Sequence, residues 1–93
     1  MLTIFEGVPD QEGMLDRYRT WCEQNPHGYI LNVRGGGAPP MLHRTKCSHV
    51  FPARPEYGDF TKKPKVCSTD RREVEGWSSQ HGHAPVLCSS CDV

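Results

Sequence analysis

Two cysteines near the end of this 93-residue chain, Cys88-Ser-Ser-Cys91, stand at the spacing that grips a metal ion. In a C-x2-C pair a tight turn brings two thiolates to one ion, which is half of a tetrahedral zinc site. The other half should be a second short-spaced pair, and His43-Arg-Thr-Lys-Cys47 is the best candidate. The expected ligands are therefore His43, Cys47, Cys88 and Cys91, holding one structural Zn2+ per chain. Alternatives stand beside this set. Cys67 could replace His43 or Cys47. His49 lies two residues after Cys47, on the same face if that stretch is extended. His83, shortly before the C-x2-C, is an outside candidate.

A redox dithiol of the thioredoxin kind needs a strand before the pair and a helix after it. Only Asp92 and Val93 follow Cys91, so no redox role is expected. The five cysteines are an odd number, which argues against a complete set of intrachain disulfides. The start, MLTIFEGVPDQEG, has neither the basic residues nor the long apolar run of an export signal. Free thiols in a reducing cytoplasmic setting are expected.

A small scaffold has to place these ligands. Met14, Leu15, Tyr18, Trp21 and Cys22 form one apolar stripe, which predicts a helix from Pro9 to Glu23 with Asp10, Gln11 and Glu12 at its positive end. Cys22 lies on the stripe and should be buried as a small hydrophobe. Asn25-Pro26 stops the helix. Tyr29 to Arg34 and Met41 to Arg44 read as strands joined by the loop Gly35 to Pro40, hence a β-hairpin over 29–44. His43 would sit at its exit, with Cys47 in the following turn. Residues 48–64 read as an irregular excursion and Lys65 to Cys67 as a short strand. Asp70 and Glu73 fit a capping box for a second helix over Asp70 to Gln80, with a thin stripe of Val74 and Trp77, ended by Gly82. The fold class expected is α+β: a small zinc-stabilised domain with a β-hairpin or short sheet and two helices.

A chain this short buries a modest fraction of its surface, so a metal that ties the hairpin exit to the C-terminus would matter. The core candidates are Leu15, Tyr18, Trp21, Tyr29, Leu31, Val33, Leu42, Val66, Val74, Trp77 and Leu87. No apolar run approaches the ~18 residues of a membrane span. Formal net charge is +0, but it is unevenly spread. Residues 34–72 carry nine basic side chains against three acidic, and both flanks are net acidic.

With this order of elements, residues 29–91 resemble the Ada-type metal-binding domain, a family first known from a bacterial DNA methyl-phosphotriester repair protein. MLHRTKC matches the family's hydrophobic-basic motif ending in C-x3-C, and VLCSSC matches its closing C-x2-C. The resemblance covers about two-thirds of the chain and implies a zinc-binding core over 29–93, with 1–28 as an N-terminal helical extension of a single domain. In the family the first cysteine of C-x3-C accepts a methyl group from DNA. His43 stands at that position here. Zinc-bound imidazole lacks a comparable nucleophile, so methyl acceptance is not expected and no catalytic residue is assigned. Four protein ligands also leave no place for a catalytic water.

The function expected from family and charge together is recognition of nucleic acid, modified DNA in a bacterial DNA-processing or defence setting being one form of it. Arg44, Lys46, Arg54, Lys62, Lys63, Lys65, Arg71 and Arg72 are the phosphate candidates, with Phe51, Tyr57 and Phe60 available to stack on bases. The competing reading is a protein-interaction module or accessory subunit held together by zinc. Neither reading calls for a membrane or a small-molecule cofactor.

Overall fold

Short segments of alternating side chains, each too brief to be stable alone, pair here into a single sheet. In the computed structural model, which describes residues 1–5, 13–52 and 63–93, the elements are β1 (Thr3–Phe5), α1 (Met14–Gln24), β2 (Tyr29–Asn32), β3 (Met41–Arg44), β4 (Lys65–Ser68), α2 (Arg71–Gln80) and β5 (Val86–Leu87). The strand order is β1-β4-β2-β3-β5. β3 and β5 run parallel, and the other pairs are antiparallel. This is the small α+β domain expected, with the 29–44 hairpin in place as β2 and β3.

Register sorts the side chains to two faces. Ile30 pairs with both His43 and Cys67, whereas Leu31 pairs with both Leu42 and Val66. Since neighbours along a strand point to opposite faces, the first trio faces one side and the second the other. Met14, Tyr18 and Cys22 of α1 share a buried cluster with Phe5, Ile30, Cys67, Cys47, Val50 and Cys88. Val74 and Trp77 of α2 join Leu31, Leu42 and Val66 on the opposite side. The sheet is thus sandwiched between one helix and the other. Residues 1–5 and 14–24, read from sequence as an extension, contribute a sheet strand and one wall of this core.

Several local expectations need correction. Helix α1 begins at Met14, directly after Gly13, which is left-handed at φ 79°; Pro9, where the sequence places the start, lies outside the described residues. Asp10, Gln11 and Glu12 lie outside the described residues. Asp70 caps α2, accepting from the Arg72 N–H at 2.9 Å. Glu73 does not close the capping box. It accepts from the Ser68 hydroxyl, while the Asp70 N–H donates to Ser68 Oγ at 3.0 Å. The end of α2 is as expected: Gly82 is left-handed, and the His83 and Gly82 N–H groups close onto Ser78 and Ser79 carbonyls in a Schellman pattern. Leu87, a core candidate on the sequence, is 48% exposed on β5, a two-residue strand at the edge of the sheet. Among the described residues, no helix is long and apolar enough to cross a membrane.

Candidate metal centre

Two turns meet beside the α1 face of the sheet, and each carries metal-binding side chains. The first follows β3. Leu42 points toward α2, so His43 must point toward α1, where it is 2% exposed. The chain then folds back on itself. The Cys47 N–H donates to the Arg44 carbonyl at 3.0 Å, and the Val50 and Phe51 N–H groups both donate to the Cys47 carbonyl, at 3.0 and 2.8 Å. Helix α1 fastens this turn: the Tyr18 hydroxyl donates to the Val50 carbonyl, and Arg19 Nε to the Pro52 carbonyl. The second turn follows β5. Its parallel pairing with β3 is extended by the Cys88 N–H donating to the Leu42 carbonyl at 3.0 Å, which sets Cys88 beside His43.

His43, Cys47, His49 and Cys88 place their ligand atoms within 4.8 Å of one another, an arrangement that could hold a metal ion. The sulfurs of Cys47 and Cys88 are 3.8 Å apart. Nδ1 of His49 is 3.7 Å from the first and 3.8 Å from the second. Zinc bonds of ~2.3 Å to sulfur and ~2.0 Å to nitrogen, set at tetrahedral angles, place sulfurs ~3.8 Å apart and sulfur and nitrogen ~3.5 Å apart. Cys47, Cys88 and His49 therefore stand close to the edge lengths of one coordination tetrahedron, and His43 offers a ring nitrogen within 4.8 Å of each. A disulfide would need ~2.05 Å, and all five cysteines are free.

The surroundings suit a cation. Nδ1 of His43 is buried without a hydrogen-bond partner, an orphan that a bound ion would explain. Burial, reinforced by His49, Lys65 and Arg34, pushes the His43 pKa down to about 4, so the ring is neutral and ready to ligate near pH 7. Sulfur at each C-terminal side of a turn meets a backbone donor. Cys88 Sγ accepts the Ser90 N–H at 3.4 Å, and Cys47 accepts the His49 N–H. Both bonds favour thiolate. Burial opposes ionisation of Cys88, but hydrogen bonds from His49, Ser90, Cys91 and Cys47 outweigh it and draw its pKa down. Burial wins at Cys47, whose pKa moves up.

The four sequence-chosen ligands therefore fall unevenly. His43, Cys47 and Cys88 converge. Cys91 lies at the flank, where its thiol bears on both Cys47 and Cys88 and its Sγ accepts the Arg44 N–H at 3.3 Å. His49, an alternative on the sequence, stands inside the group. Cys67 is fully buried among Phe5, Tyr18 and Cys22 instead. His83 is engaged through its carbonyl, which accepts from the Ser78 hydroxyl at 2.7 Å.

The basic side chains chosen for phosphate contact are also unevenly placed. Lys46 and Lys63 are exposed. Arg44 is exposed but donates through Nε to the Asp92 carbonyl at 2.9 Å, and its guanidinium carbon lies 5.9 Å from the Tyr29 ring centroid. Arg71 pairs with Glu75, and Arg72 with Asp70. Lys65 is 4% exposed, because β4 is an inner strand of the sheet. Arg54, Lys62, Tyr57 and Phe60 lie outside the described residues. Phe51 and Lys46 line a shallow cleft of about 510 Å3 with Cys22, Glu23 and Pro26. No protein family, curated protein or solved structure matches the chain.

Proposed function

We propose that this chain is a zinc-stabilised binding module whose ion is structural and whose partner is a nucleic acid. The convergence of two thiols and two imidazoles within 4.8 Å carries the first half of this reading. Two or three sulfurs with imidazole favour Zn2+ over harder ions such as Mg2+ or Ca2+, which take oxygen ligands. Four protein donors close the coordination sphere, so the ion braces the fold and no water is activated.

The second half is supported by the basic stretch over 34–72 and by the cleft that sets exposed Lys46 beside Phe51. A cation next to an aromatic ring is what a phosphate and its neighbouring base require. Affinity for a labelled single-stranded or duplex DNA, measured at two salt concentrations, tests it. Binding should weaken as salt rises, with a log-log slope of about −0.7 to −0.9 per phosphate contacted. Lys46→Glu should weaken it further. Absence of binding at low salt, or binding indifferent to salt, rejects nucleic acid as the partner. The reading as a protein-interaction module would then take precedence. It draws on the exposed apolar side chains of the two edge strands, Ile4 on β1 and Val86 and Leu87 on β5.

A further inference from the structure

Zinc needs four donors; four stand within 4.8 Å of one another here, and a fifth candidate, Cys91, lies against Cys47 and Cys88 beside them. Resting on the zinc reading above, we propose that the fourth coordination position is shared: His43, Cys47 and Cys88 hold the ion, and His49 and Cys91 are interchangeable fourth donors.

Burial and attachment separate the five. His43, Cys47 and Cys88 are 2%, 5% and 4% exposed, and their backbones are fixed by β3, the 44–51 turn and the β3–β5 pairing. His49 is the exposed member of its group, at the outer side of the turn. Its Nδ1 nonetheless reaches both sulfurs at tetrahedral edge distances. Cys91 is half-buried on a tail that Arg44 pins twice, by its N–H to Cys91 Sγ and by its Nε to the Asp92 carbonyl. Val93 packs against the α2-side core beyond it. The Arg44 N–H at 3.3 Å holds the Cys91 sulfur in place, whether or not that sulfur is on the metal. Arg44 is thereby a positioning residue for the tail. With His49 on the ion the set is two sulfurs and two nitrogens. With Cys91 on it the set is three sulfurs and one nitrogen. Both are ordinary zinc sets. The exchange transfers no electrons: one donor's lone pair leaves the ion as the other's arrives, and the Arg44 N–H retains the Cys91 sulfur when His49 is on the ion.

The test is metal content and chelator competition for the wild type, His49→Ala, Cys91→Ala and the double variant, each also loaded with Co2+. Each single variant should keep one metal per chain, with affinity reduced by about tenfold or less, while the double variant loses more than about 100-fold. The thiolate-to-cobalt absorption of Cys91→Ala should be about two-thirds that of His49→Ala, two sulfurs against three. The size-preserving pair His49→Gln with Cys91→Ser must behave as the alanine pair does, which guards against loss by misfolding. Metal loss in either single variant overturns the shared position, as does retention in the double variant. A wild type that binds no zinc sinks the zinc reading itself, and a wild type that binds it while a single variant fails sinks the sharing alone.

Discussion

Stripping the ion with a strong chelator should abolish the cooperative thermal transition of this chain. Binding energy of a structural zinc is on the order of 10 kcal/mol, about the whole stability of a small domain. The structure shows why the loss would spread. The candidate donors sit on β3, on the 44–51 turn and on the tail after β5, and the turn and tail supply Cys47, Val50 and Cys88 to the α1-side core. Without the ion, the neutral His43 ring keeps a buried orphan nitrogen and the thiols of Cys47 and Cys88 lose their common partner. β5 is only two residues long and half-exposed, so apart from a few backbone bonds to β3 and the Arg44 contacts with the tail, the ion would be its main anchor. Near-ultraviolet circular dichroism should flatten on chelation, the melting transition should broaden or vanish, and zinc should restore both. An unchanged melting temperature after complete removal of metal would refute a structural role.

His43→Leu should lower stability sharply, and the sign of that change is diagnostic. Leucine fills a similar volume and removes the unpartnered Nδ1. If His43 were only a core side chain, deleting a buried unsatisfied polar atom would be neutral or would stabilise the protein by ~1–3 kcal/mol. If His43 is a ligand, the same change costs most of the zinc affinity, more than about 100-fold, and the melting temperature falls. Cys67→Ala is the matched control. It also empties a buried site, but one among Phe5, Tyr18 and Cys22 and outside the donor group, so it should destabilise the fold while leaving metal content unchanged.

Much of the scaffold was legible because its signals are local. The hairpin over 29–44 shows itself in β-forming runs around Gly35–Pro40, and α2 in its Asp70 cap and Gly82 stop. The closeness of the His43–Cys47 and Cys88–Cys91 segments follows from metal-ligand spacing, which needs no knowledge of the fold. The non-local pairings were harder to read. β1 is three residues long and finds its partner, β4, about sixty residues later. Nothing near Lys65 in the sequence says that β4 will lie between two other strands and bury that lysine among them. Gly13 looks like a tolerable helix glycine until its left-handed φ is known. His49 was visible only as a neighbour of Cys47 on an extended strand, whereas it reaches the centre because the chain turns there, with the Val50 and Phe51 N–H groups closing onto Cys47.

Elemental analysis of the purified chain, taken together with its native mass, asks the most direct question of this centre. One zinc ion per polypeptide, retained through a metal-free buffer and absent from His43→Leu, is the predicted finding. A wild-type chain that is folded yet carries no zinc and takes up none when it is supplied would contradict it.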